Sequence, residues 1–104
     1  MIVEHIGVPA LLEQLAEECC ELAQASLKMA RKLRDENPTP KSIEDIRDNL
    51  VEEIADVDVC LDRLEDETDI VDRLELTTIE IDKKKRWQER LEQHSGIDYD
   101  ELFK

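Results

Sequence analysis

The chain has few of the residues that build sheets and tight turns: among 104 residues only Trp87, Tyr99 and Phe103 are aromatic, and only Gly7 and Gly96 are glycine. That scarcity disfavours sheet-rich folds, which need β-forming residues and turn residues in quantity. Cysteine is sparse too: Cys19, Cys20 and Cys60 make an odd number with two adjacent, which is neither a disulfide framework nor a paired zinc knuckle. These read as reduced thiols serving as small core fillers, with a cytoplasmic home for the protein. No apolar run approaches the roughly 20 residues needed to span a bilayer. The longest apolar-leaning stretch, residues 6–12, contains Gly7 and Pro9, and the start of the chain lacks the basic and apolar segments of an export signal. No membrane partner is therefore expected. Positive charge is also in short supply, with 14 basic against 28 acidic side chains and a formal net charge of −14. Nucleic-acid binding relies on Lys and Arg displacing counterions, so free nucleic acid is not an expected partner.

What the chain does contain favours helices: Glu, Leu, Ala, Asp and Lys are abundant. A first helix is expected from about Pro9 to Asp35, because proline suits the first helical turn and no later Gly or Pro interrupts it. Leu15, Cys19, Leu22, Ser26, Met29 and Leu33 mark its apolar stripe. Residues 37–40, Asn-Pro-Thr-Pro, break the pattern. A second helix starts at Ser42, where Ser42 and Asp45 have capping-box spacing, and Ile43, Ile46, Leu50, Ile54, Val57, Leu61 and Leu64 alternate steps of three and four. Thr68 or Asp69 is expected to cap a third helix running to about His94, with Ile70, Leu74, Thr77 and Ile81 facing inward and Ser95-Gly96 stopping it. A short last turn is expected after Asp98. These elements imply an all-α, antiparallel bundle of three long helices in one domain, residues 1–95, with a short tail at 96–104. A chain of this size buries only about two-thirds of its unfolded surface, so an oligomer that completes a four-helix core is expected.

The chemistry lies in two carboxylate pairs, Glu18 with Glu21 and Glu53 with Asp56, each three residues apart and so on one helix face. Spacing alone is weak: at an acidic density of 28 in 104 residues, about seven such pairs arise by chance. Context is more telling. Glu18 and Glu21 adjoin Cys19 and Leu22, and Glu53 and Asp56 flank Ile54 and Val57, beside rather than opposite the apolar stripe. Acids next to a buried seam are costly unless paired or bound to metal. If the helices are antiparallel neighbours, the four converge on an oxygen-rich cluster suited to a hard cation such as Mg²⁺ or Mn²⁺. A di-iron centre is set aside, because it wants Glu three residues before His, and Ile2 and Leu91 stand before His5 and His94.

The runs Glu17-Glu18-Cys19-Cys20-Glu21-Leu22 and Asn49-Leu50-Val51-Glu52-Glu53-Ile54-Ala55-Asp56-Val57 resemble the MazG-type all-α NTP pyrophosphohydrolases, over roughly residues 10–92. The second run is the more specific of the two. The resemblance implies Mg²⁺-dependent hydrolysis of a nucleoside triphosphate to monophosphate and pyrophosphate, by water attack at the α phosphate, in a homodimer or homotetramer that serves nucleotide-pool housekeeping. It makes Glu18, Glu21, Glu53 and Asp56 the metal ligands and catalytic residues. The chain departs from the family in one respect: 31 residues separate Glu21 from Glu53, more than is usual there.

A triphosphate also needs positive partners. Lys28 lies two helical turns beyond Glu21 on the same face, and Lys83 and Arg86 resemble basic third-helix positions in relatives; each also reads as an ordinary solvated charge. Trp87 reads first as a residue that packs at a subunit interface and second as a base-stacking one. Two other readings stand beside the enzyme. One is a helical partner-binding module; the other is an acidic mimic of nucleic acid, for which the ten acids against two basic residues between Glu53 and Glu75 speak.

Overall fold

The computed structural model describes residues 1–35 and 40–94, and the turn expected after Asp98 lies outside them. All regular structure among the described residues is helical: α1 (Ile2–Ile6), α2 (Val8–Arg34), α3 (Ile43–Glu67) and α4 (Arg73–Gln93). The chain divides into two compact units, Met1–Ile70 and Val71–Lys104.

In the first unit α2 and α3 pack along their lengths, and α1 touches both. Their mutual direction follows from reach. Glu18 meets Glu53 and Asp56 across the seam. From Glu18 to the end of α2 is about 24 Å, and from Glu53 back to the start of α3 about 15 Å, at the helical rise of about 1.5 Å per residue. A parallel pair would ask the nine chain steps from Arg34 to Ile43 to cover about 39 Å, beyond the roughly 31 Å of a fully extended chain. The pair is antiparallel.

Local chemistry sets the ends of these helices. Arg31, Lys32 and Arg34 occupy the last turn of α2, where positive charge complements the helix dipole, and Asp35 closes it in the left-handed region at φ 55°. Ser42 caps α3 as expected, its Oγ accepting from the Asp45 N–H at 3.2 Å, with Glu44 and Asp45 in the first turn. The other end of α3 carries Asp66 and Glu67, the wrong sign for that dipole. Arg63 offsets them, reaching Asp66 at 2.9 Å and Glu67 at 3.4 Å. The Glu67 side chain is 2% exposed, and its second oxygen accepts the Val3 N–H of α1 at 3.0 Å. A carboxylate at the end of α3 thus satisfies an orphan amide in the first turn of α1, a short helix that the sequence reading did not anticipate.

The buried stripe keeps most of the expected residues, Leu15, Leu22 and Met29 on α2 and Ile46, Leu50, Val57, Leu61 and Leu64 on α3, and departs from the expectation at the others. On α2 it runs Leu11, Leu15, Glu18, Leu22, Ala25, Met29, with Leu11 and Ala25 fully buried, whereas Cys19, Ser26 and Leu33 are exposed. On α3 it runs Ile46, Leu50, Glu53, Val57, Cys60, Leu64, flanked by half-buried Asp56 and Leu61, and Ile43 and Ile54 are exposed. Steps of four and three therefore persist, and the difference is confined to single positions: Glu18 and Ala25 take the places expected of Cys19 and Ser26, and Glu53 is inward where Ile54 was expected. Adjacent apolar positions such as Leu11 and Leu12, or Glu53 and Ile54, leave two stripes legible on each helix. Only packing chooses between them.

In the second unit α4 starts later than expected. Asp72, not Thr68 or Asp69, is its cap, accepting from the Glu75 N–H at 3.0 Å, while Thr68 ends α3 by donating its hydroxyl to the Leu64 carbonyl. Thr68 forms a turn with the Ile70 N–H at 3.2 Å, which uses the capping hydroxyl to close one helix instead of opening the next. The expected inward face of this helix is not buried: Ile70, Leu74 and Ile81 are exposed and Thr77 is half-buried. The helix ends at Gln93, with His94 at its C-cap. No helix among the described residues is long and apolar enough to cross a membrane.

Candidate metal centre

Glu18 and Glu21 come from the middle of α2, Glu53 and Asp56 from the middle of α3, and the antiparallel pairing brings all four together. One carboxylate oxygen of each lies within 4.8 Å of the others. Glu18, Glu53 and Asp56 are half-buried and Glu21 is exposed, so the cluster opens to solvent on the Glu21 side. The sequence expectation that these four converge holds. Its detail changes, because Glu18 and Glu53 occupy the seam itself, at the positions where Leu or Ile would continue the core.

That placement has a cost. Carboxylate oxygens within 4.8 Å of one another repel when ionised. The Oε2 atoms of both Glu18 and Glu53 are buried without a hydrogen-bond partner among the described residues. The remaining oxygen of Glu18, Oε1, accepts from the Gln14 side chain one turn earlier at 2.7 Å. The Gln14 hydrogen bond favours the ionised form of Glu18, but burial and the charges of Glu21 and Asp56 act the other way. The net effect holds the Glu18 carboxyl above its ordinary value. Beneath the cluster, one turn beyond Asp56, the buried Cys60 thiol is pushed up first by desolvation and then by the Glu18 and Asp56 charges and Cys19. Cys60 is the core filler expected of it; Cys19 and Cys20 are exposed, because they sit off the buried stripe.

A donor set of four carboxylates with no nitrogen or thiolate, two of whose oxygens are buried and unpartnered, fits a hard divalent cation. The orphaned Oε2 atoms carry that fit. An uncompensated buried carboxylate oxygen is costly in a folded protein, and a cation is the partner that would satisfy several at once.

The basic residues distribute as follows. Lys28 is exposed on α2, seven residues beyond Glu21. Lys83 and Arg86 stand on α4 in the second unit, both exposed, and Arg86 pairs with Asp82 at 2.6 Å. Trp87 on the same helix is 63% exposed. Two residues around the cluster escaped the sequence reading: Gln14, whose signal was only its four-residue spacing from Glu18, and Cys60 as the floor of the site. Compared with known protein families, curated proteins and solved structures, the chain matches none.

Proposed function

We propose that the protein is a divalent-cation-dependent nucleoside triphosphate pyrophosphohydrolase of the MazG-like kind, releasing monophosphate and pyrophosphate. The observation that supports this reading above the others is the convergence of Glu18, Glu21, Glu53 and Asp56, with two buried oxygens lacking any partner. These four side chains would hold Mg²⁺, or Mn²⁺ in its place. When bound, such a cation supplies charge neutralisation for a triphosphate and lowers the pKa of a coordinated water.

The chain's own residues do the rest. The four carboxylates fix where positive charge accumulates, and the half-buried Glu18, Glu53 and Asp56 hold it against the low-dielectric seam, where it acts most strongly. Their exposed partner Glu21 faces the side from which a polyphosphate enters. Lys28, on the helix that carries Glu18 and Glu21, is the side chain of this unit assigned to contact phosphate oxygens. The exposed apolar residues Leu27, Leu33, Val51, Ile54 and Val59 of α2 and α3 supply the surface for the homodimer or homotetramer that this reading includes.

The test is direct. The purified full chain is incubated with a panel of nucleoside triphosphates in Mg²⁺, Mn²⁺ or EDTA, and products are resolved by anion exchange. Metal-dependent pyrophosphate and monophosphate, lost in Glu53→Gln, are the expected result. Diphosphate plus inorganic phosphate would place attack at the terminal phosphate and overturn the reading. Inactivity across the panel would transfer its weight to the acidic partner-binding module.

A further inference from the structure

The Glu18 carboxylate is divided between two tasks. Its Oε1 is held by Gln14 Nε2 at 2.7 Å, while its Oε2 is buried and has no hydrogen-bond partner among the described residues, and one oxygen of the carboxylate lies within 4.8 Å of an oxygen from each of Glu21, Glu53 and Asp56. Gln14 stands one helical turn before Glu18 on the exposed side of α2, so the amide reaches the carboxylate from outside the seam. We infer that Gln14 is a positioning residue for the metal centre: by holding one oxygen of Glu18 it fixes the rotamer that presents the other to a divalent cation.

This inference rests on the metal-binding reading above and deepens it. A carboxylate at the edge of a helical seam has several rotamers, and those that swing toward solvent relieve repulsion from Glu21, Glu53 and Asp56. A neutral donor on the outer oxygen opposes that escape without adding a cation that would compete for the site. Gln suits this task. It donates through its amide nitrogen, cannot ionise, and has the reach to span one turn. Outer partners of this kind orient the ligands that they contact, and their removal typically lowers metal affinity by about 10- to 100-fold.

The experiment compares three full-length proteins: the wild type, Gln14→Met, which keeps length and helix preference but has no donor, and Gln24→Met as a control on the exposed surface of the same helix. Mn²⁺ binding is measured by electron paramagnetic resonance of the free ion, and the thermal midpoint is measured with EDTA present. Weakening of Mn²⁺ affinity by about tenfold in Gln14→Met, with Gln24→Met at wild-type affinity and all three midpoints alike without metal, is the expected result. Wild-type affinity in Gln14→Met would overturn the positioning role and leave the metal reading standing. An equal loss in Gln24→Met would show a general effect of altering the helix surface and would overturn it as well. Absence of Mn²⁺ binding by the wild type would overturn the metal reading itself, and the role of Gln14 with it.

Discussion

The seam between α2 and α3 has two kinds of layer in one register. Toward its ends it is apolar: Leu11 with Cys60 and Leu64 on the α1 side, Ala25 with Ile46 on the side of the α2–α3 connection, each at most 6% exposed. At its middle the same positions hold Glu18 and Glu53, with Asp56 beside them. The end layers do what a core does, removing hydrocarbon from water. The middle layer does the opposite, holding like charges together with two oxygens unpartnered. A thin core that carries such a layer gives up stability at its centre, and the contrast between the layers is open to experiment.

The largest expected effect is on the apolar side. Leu64 is 2% exposed, and Leu64→Ala should cost about 2–5 kcal/mol of stability, read from urea denaturation of the metal-free protein. The middle layer should behave inversely. Glu53→Gln should lower metal-dependent hydrolysis by about 100- to 1,000-fold, the scale of losing one electrostatic element of a catalytic site, while leaving metal-free stability unchanged or raised. A cation that binds only the folded state should stabilise the wild type by about 2.7 kcal/mol at 100 times its dissociation constant, visible as a rise in thermal midpoint. The same cation should leave Glu53→Gln nearly unmoved. Glu53→Leu, which continues the stripe between Leu50 and Val57, should stabilise the metal-free chain by about 1–2 kcal/mol, on the scale of burying an aliphatic side chain; destabilisation would show that the layers do not differ as argued.

The smallest expected effect concerns pH. The folded-state pKa of Glu18 is raised, so the folded state holds its proton more tightly than the unfolded one. The resulting stability is fully present below the ordinary value of 4.5 and is lost as pH rises through the higher folded-state value. Without metal, the difference in midpoint between wild type and Glu18→Gln should therefore grow against the wild type as pH rises across that window. With metal bound the difference should shrink, since the cation holds the carboxylate ionised.

Much of this arrangement was written in the order of residues. The capping Ser42, the absence of Gly or Pro between Ala10 and Asp35, and the three-and-four spacing of apolar residues determined three long helices and their approximate ends, because those are local preferences of the backbone. The spacing of Glu18 with Glu21 and of Glu53 with Asp56 determined that each pair shares a helix face. Other features were ambiguous locally. Thr68 and Asp72 are both capping residues, and whether Thr68 closes α3 or opens α4 depends on the carbonyl that its hydroxyl finds. The 2.7 Å contact of Gln14 with Glu18 follows from rotamers that no spacing specifies.

Which residues fill the centre of the seam was decided only by the tertiary structure. Leu11 and Leu12, Glu18 and Cys19, and Glu53 and Ile54 are neighbours that point about 100° apart, so a small rotation of either helix exchanges which of each pair is buried. By residue type alone, Cys19 and Ile54 belong inside and the acids outside. The packed pair places Leu11, Ala25, Ile46, Cys60 and Leu64 fully inside, and with those five inward Glu18 and Glu53 have nowhere to go but the seam. Burial is a property of the whole interface, and one interface can satisfy its end layers by accepting charge at its centre.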